Sequence, residues 1–341
     1  MIEQALIEQA QIIATVNDRR ATAAQLRRFV DAGATMLRLN GAFLGPARVE
    51  PVVAQIRGAV GRRARIILDL PGYKVRFLHL ESPIRFKRGV PFNVERRWLN
   101  YPEVFDLLRP GTVLRINDGR IVLTVEAHAG DTLTCLASQP GAITPGKGLH
   151  LDGQSYRPST TALSALDLQL VEQAVAHGVD CLGLSFPNSG SDVTHVQELC
   201  GTSTTKVIPK IESKESVKRL GEIVELADEV IIDRGDLSGE IGIDKIWRAQ
   251  REIIGACKRT GAKVYAATQV LASMVEHPLP SIAEIDSLYS LMHEGIDGIQ
   301  LSEETSVGRH AVETIRLVRS VLDQRSSGSS TIRAVAGSRP Q

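Results

Sequence analysis

The sequence predicts an α/β fold: a closed (β/α)8 TIM barrel with a small β-barrel lid inserted after its third strand. Three observations predict it. Apolar β-type runs alternate with amphipathic helical stretches through most of the chain. The runs are apolar almost throughout, as strands covered on both faces must be, rather than alternating polar and apolar. One interval breaks the rhythm and is rich in short alternating segments and turn signals. An open doubly wound sheet is the alternative, but no glycine-rich dinucleotide loop follows the first strand.

The runs are QIIATV (11–16), ATMLRL (34–39), ARIILDL (64–70), DCLGLSF (180–186), KVIPKIE (206–212), EVIID (229–233), AKVYAAT (262–268) and DGIQLS (297–302). Helical patterns follow at roughly 22–32, 46–59, 163–177, 189–199, 214–226, 243–260, 283–294 and 308–323. Several stop at a glycine, as in DAGAT, AHGVD, RTGAK and HEGIDG. In the interrupting interval, INDGRI and HAGDTL read as hairpin turns. The expected division is a barrel over 1–72 and 157–324, a lid over 73–156, and a Ser/Gly/Arg-rich tail over 325–341 that is expected to be disordered.

Composition sets the outer limits. A hydrophobic content of 43% and a charged content of 23% are ordinary for a soluble globular protein. The formal net charge of +1 gives no electrostatic reason to expect nucleic acid or a membrane as partner. No apolar run or leader pattern marks a span or a signal, so the cytoplasm is the expected compartment. Cys135, Cys181, Cys200 and Cys257 lack CxxC spacing and point to buried thiols rather than disulfides or zinc.

Barrels place their chemistry at the C-terminal ends of the strands. Here those ends carry Thr15, Arg38, Asn40, Asp69, Ser185, Lys210, Glu212, Asp236, Thr268 and Ser302. In VIPKIES (207–213), Lys210 and Glu212 are two apart and so share one face of a strand. Carboxylates without a cysteine cluster suit a hard divalent cation, Mg²⁺ or Mn²⁺, rather than zinc. The lysine and arginines suit a phosphorylated or carboxylated small molecule. In DRGDLSGEIG, Gly235 permits close backbone approach, and the N–H groups at 235–236 open a short helix toward a carboxylate.

At these residues the chain resembles the pyruvate kinase family. The likeness runs through IIATVND, ATMLRLN, IILDLPGYKVR, LRINDGRIVL, PGKGLHLDG, PKIESKESV and DRGDLSGEIG to the long stretch from AATQVLASM to LSEETSVGRH. It implies a barrel with an inserted β lid and a phosphotransferase that moves phosphoryl between phosphoenolpyruvate and a nucleoside diphosphate through a metal-bound enolate. The resemblance also implies residue roles. Glu212 and Asp236 hold the divalent ion, Lys210 stabilises the phosphoryl group and enolate oxygen, and Arg38 contacts phosphate. Thr268, Gly235 and Asp236 bind the substrate carboxylate, and Ser302 and Arg76 complete the catalytic group. Thr15, Asn40, Asp118 and Lys147 face the nucleotide. Potassium is not expected to be required: Asp69 and Asn40 remain, but Ala42, Leu70 and Lys74 stand where potassium-dependent members have serine, threonine and glutamate, and Lys74 brings a fixed ammonium.

Other positions depart from the family. Its Asn-Phe-Ser-His reads Asn40-Gly41-Ala42-Phe43, its Gly-Pro after the first strand reads Asn17-Asp18, and its Ser-Phe-x-Arg reads Ser185-Phe186-Pro187-Asn188. These losses fall on the nucleotide side and keep a second reading open: a metal-dependent lyase, aldolase or decarboxylase that uses a pyruvate enolate without nucleotide. The family's C-terminal domain, its sugar-phosphate activation and its tetramer are not expected, and at most a barrel-mediated homodimer is.

Overall fold

The computed structural model describes residues 10–117, 119–151, 156–157 and 163–331. Its barrel strands are β1 (Gln11–Thr15), β2 (Met36–Asn40), β3 (Arg65–Asp69), β11 (Cys181–Leu184), β12 (Lys206–Ile211), β13 (Glu229–Asp233), β14 (Lys263–Ala267) and β15 (Gly298–Leu301). They close in sequence order, all parallel, with β1 pairing both β2 and β15. The predicted α/β barrel is the observed one, and each predicted run contains one barrel strand apart from a residue at the end of β2.

Strand parity divides the apolar side chains into two layers. Ile12, Leu37, Ile66, Leu182, Val207 and Val230 face outward and pack beneath the helices. The alternate residues Ile13, Met36, Ile67, Cys181, Ile208, Ile231 and Tyr265 fill the barrel interior. Two residues further along, the same inward face carries Thr15, Arg38, Asp69, Lys210 and Asp233. An apolar plug thus becomes the floor of a charged mouth.

The helices pack outside and follow the expected punctuation. Those at Ile246–Thr260 and Ile282–Glu294 end on Gly261 (φ 81°) and Gly295 (φ 98°), both in the left-handed region that side chains disfavour. The stretch expected as one helix over 214–226 is two, Lys214–Lys218 and Leu220–Val224, separated where Arg219 leaves helical geometry (φ −108°, ψ 28°). The final helix, Ala311–Thr331, runs past residue 324, and residues 332–341 of the expected tail lie outside the described residues.

Between β3 and β11 lie β4 (Ile84–Phe86), β5 (Phe92–Glu95), β6 (Val113–Ile116), β7 (Ile121–Ala129), β8 (Thr132–Ala137), β9 (Gly141–Ile143) and β10 (Leu149–Leu151). They form an antiparallel sheet in the order β10-β6-β7-β8-β5 and a separate pair, β4-β9. Closure is confined to the parallel barrel, because the three-residue strands β4 and β9 pair only with each other among the described residues. Both expected hairpins are present, with Ile116 opposite Ile121 and Ala129 opposite Thr132. The lid has its own core, including Phe77, Phe105, Leu123, Val125 and Leu133. Its entry is pinned to the barrel where Gly72 N–H donates to Asp167 Oδ1 at 3.0 Å.

A second polar group lies toward the N-terminal ends of the strands. The Arg65 guanidinium donates to both oxygens of Glu229, at 2.8 and 3.0 Å, and lies 2.7 Å from Cys181 Sγ. Tyr265 Oη donates to Glu229 Oε2 at 2.8 Å. All four cysteines are buried and free, and burial pushes the Cys135 and Cys257 thiols up to about 12, as inert packing groups. Removing Arg65 leaves the Glu229 charge buried without its counter-ion, a loss that costs about 3–5 kcal/mol. Arg65→Met is therefore expected to lower urea stability by that order without altering the mouth. A change below about 0.5 kcal/mol would show that water reaches Glu229.

Candidate active site

The site is built around one buried ammonium. Lys210, near the C-terminal end of β12, has a side chain 5% exposed, with Nζ 3.0 Å from Glu212 Oε2, 3.2 Å from Asp233 Oδ2 and 3.4 Å from Asp69 Oδ2. It also donates to Ser185 Oγ at 3.4 Å. Burial opposes its charge, but Glu212, Asp69 and Asp233 outweigh burial and hold the ammonium far above its ordinary value. The same-face relation of Lys210 and Glu212 is thus realised as an ion pair inside the barrel.

A second cation lies beside it. Arg38 Nε donates to Asp69 Oδ2 at 2.8 Å, and its Nη1 donates to Thr15 Oγ1 at 3.0 Å. Thr15 in turn donates to the Leu301 carbonyl at 2.7 Å, closing the seam between β1 and β15. Gly183 on β11 makes room for Asp69, since a Cβ there would stand 2.2 Å from Asp69 Oδ1. That oxygen has no hydrogen-bond donor among the described residues.

Glu212, Asp233 and Asp236 are all buried and each offers a carboxylate oxygen within 4.8 Å of the others. Glu212 accepts the Phe186 N–H through Oε1 at 2.8 Å, while its buried Oε2 has no hydrogen-bond donor among the described residues and lies beside the Lys210 charge. Burial pushes the Glu212 carboxyl up, to about 7, against the pull of Lys210. An all-oxygen set with an orphaned buried carboxylate atom fits a hard divalent cation. Asp236, in the buried helix Arg234–Ile241, is different: its Oδ1 accepts from Lys74 Nζ and, at 3.1 Å, from His150 Nε2. Burial opposes the Asp236 carboxylate, yet Lys74 and His150 hold it well below the usual range. Lys74 is placed on this carboxylate, while Asp69 is held by Arg38 and Lys210.

Above this floor opens a cavity of about 760 Å³ between barrel and lid. Thr15, Arg38, Asn40, Asp69, Lys74, Arg76, Lys147, Lys210, Asp236, Thr268 and Ser302 all line it. Asn40 caps the helix Gly41–Leu44, its side chain accepting from Ala42 N at 3.1 Å. Arg76 donates to the Gly146 carbonyl at 3.1 Å and lies over the Phe43 ring, 5.6 Å from its centroid. Lys147 pairs with Glu303 at 3.5 Å, and Ser302 N–H donates to Glu304 Oε2 at 2.7 Å. Asp118 lies outside the described residues.

Thr268 follows β14 with φ at 69°, a conformation that a β-branched residue adopts only under constraint. The constraint is visible. Arg234 donates to the Thr268 and Gln269 carbonyls at 2.8 and 2.9 Å, and Thr268 Oγ1 donates to Asp233 Oδ1 at 2.7 Å. The hydroxyl proton is committed to Asp233, so the oxygen lone pairs are what remain for the cavity.

Two residues of this site escape the sequence reading. Asp233 shares its strand face with Ile231, two residues before it, so the parity that places Lys210 beside Glu212 also points Asp233 inward. His150, in β10 of the lid, is separated from Asp236 by 86 positions that include three barrel strands, and it leaves no local signal.

Comparison with known proteins agrees with this geometry. Residues 7–315 match the family described as pyruvate kinase, barrel domain. A pyruvate kinase of Borreliella burgdorferi is 29% identical over 322 residues, covering 91% of this chain and 67% of the relative. Pyruvate kinase PKLR of Homo sapiens is 31% identical over 337 residues, covering 91% of this chain and 58% of the relative. A pyruvate kinase of Thermococcus litoralis is 28% identical over 351 residues, covering 97% and 74%. With the family matched across the barrel and lid, and with the mouth assembled as described, the chain belongs to the pyruvate kinase family.

Proposed function

We propose that this chain is a phosphotransferase that moves phosphoryl between phosphoenolpyruvate and a nucleoside diphosphate. The observation that carries the reading is the Lys210 ammonium, buried at the floor of a large polar cavity between Arg38 and the Glu212–Asp233–Asp236 group. In this reading the bond from phosphorus to the enol oxygen breaks and a bond to the terminal diphosphate oxygen forms. The enolate then takes a proton at its CH₂ carbon to give pyruvate.

Lys210 and Arg38 meet the charge that develops on the phosphoryl and enolate oxygens, in a site where burial strengthens the interaction. Glu212 and Asp236, with Asp233 beside them, are the residues that would hold a Mg²⁺ or Mn²⁺ ion. When bound, that ion supplies Lewis-acid stabilisation of the same oxygens. The substrate carboxylate falls to the N–H groups of Gly235 and Asp236 in the first turn of their helix. Thr15, Asn40, Asp118 and Lys147 are assigned to the nucleotide, and Arg76 and Ser302 to the catalytic group. The Lys147–Glu303 pair does not argue against this, because an exposed ion pair is worth at most about 1 kcal/mol and yields to a phosphate.

The deciding assay is incubation with phosphoenolpyruvate, Mg²⁺ and a panel of nucleoside diphosphates, scored for pyruvate and for triphosphate together. Equal yields of both are expected. Pyruvate without triphosphate would replace the phosphotransferase with enolate chemistry that uses no nucleotide. Lys210→Met is expected to reduce kcat by about 10²–10³-fold or more, with Mn²⁺ still bound. A near-normal rate would remove Lys210 from the chemistry.

Activity is also expected to be independent of potassium, because the fixed ammonium of Lys74 already occupies the mouth and pairs with Asp236. Rates in tetraalkylammonium buffer, with and without KCl at constant ionic strength, measure this. Strong activation by KCl would show that Lys74 does not take the ion's place.

A further inference from the structure

We propose that His150 is a positioning residue for the metal site: from the root of the lid, its Nε2 hydrogen bond to Asp236 Oδ1 orients that carboxylate for the divalent ion. The inference rests on the metal reading of Glu212 and Asp236 and adds a residue to it. His150 lies in the last lid strand, β10, and its side chain is 3% exposed. Its two ring nitrogens face two acids of one helix, Nε2 at 3.1 Å from Asp236 Oδ1 and Nδ1 at 3.6 Å from Glu240 Oε1. A ring held between residues four apart on a helix has little freedom to turn.

The backbone around the ring is cut to admit it. A Cβ at Gly239, between the two acids in sequence, would stand 2.8 Å from His150 Cδ2 and Cγ. Across the lid junction, a Cβ at Gly148 would stand 2.6 Å from Cε of Lys74, the other donor to Asp236. Both side chains that grip Asp236 Oδ1 therefore come from the lid roots and pass over glycines to reach it. With Oδ1 engaged by two donors, the Asp236 carboxylate is fixed where it shares the buried acidic group with Glu212 and Asp233. Groups that orient a metal ligand in this way typically change metal affinity by about 10–100-fold when removed.

The test is Mn²⁺ affinity of the full chain, read by water-proton relaxation and electron paramagnetic resonance in the absence of substrate. His150→Ala is expected to weaken Mn²⁺ binding about tenfold or more. His150→Gln, which retains an N–H donor, is expected to stay within roughly threefold of the parent. Gly239→Ala keeps the imidazole but pushes it off Asp236, and is expected to behave like His150→Ala. That variant carries the decision if His150→Ala does not fold. Glu212→Gln is the control for the metal reading itself, and unchanged Mn²⁺ affinity in that variant would place the ion elsewhere. If Glu212→Gln weakens binding while His150→Ala and Gly239→Ala do not, the metal reading stands and the role of His150 is overturned. Equal losses in His150→Ala and His150→Gln would also overturn it, since ring packing rather than the donated hydrogen bond would then be what matters.

Discussion

Lys210 sits where the apolar interior of the barrel ends, with three carboxylates within 3.4 Å of its Nζ. Bringing Asp69, Glu212 and Asp233 together in a buried space is strongly unfavourable unless a fixed positive charge stands among them. The lysine is that charge, and the geometry of the mouth follows from it. Asp69, shared between Lys210 and Arg38, aligns β2 and β3 with β12. Asp233, shared between Lys210 and Thr268, holds the turn after β14 in its constrained conformation. A phosphate entering such a site meets cations already oriented by acids, so little reorganisation remains to be done as charge develops.

The carboxylate group next to the lysine responds to the same balance. Asp69, Glu212, Asp233 and Asp236 are offset by Lys210, Arg38 and Lys74, with His150 as a further positive charge when protonated. Burial works against the His150 cation, but its bonds to Asp236 and Glu240 outweigh burial and hold the imidazole up at about 9. Glu212 is left with the weakest compensation, with an oxygen that no hydrogen bond satisfies among the described residues and a carboxyl that burial pushes up. An under-compensated, all-oxygen cluster beside a polar cavity is where a hard cation binds most favourably.

The lid enters this balance through its two ends. Lys74 at its start and His150 at its finish both reach Asp236 of the barrel, while the body of the lid packs on its own separate core. Junction and body are therefore held by different forces, the first by buried charge and the second by apolar packing.

From the sequence alone, the barrel and most of its mouth were already determined. Eight near-continuously apolar runs cannot be satisfied by an open, half-solvated sheet, and parity along a strand assigns Lys210 and Glu212 to one face before any contact is known. The same parity points Asp233 inward beside Ile231, so that residue is legible in EVIID as well. Tertiary structure alone decided what depends on contacts between distant segments: that Lys74 grips Asp236, that His150 reaches the same oxygen from the lid, and that the Thr268 hydroxyl donates to Asp233. The physical reason is range. Periodicity reports which way a side chain points relative to its own backbone, whereas the choice of a buried charge's partner depends on distances set by the closure of the whole barrel.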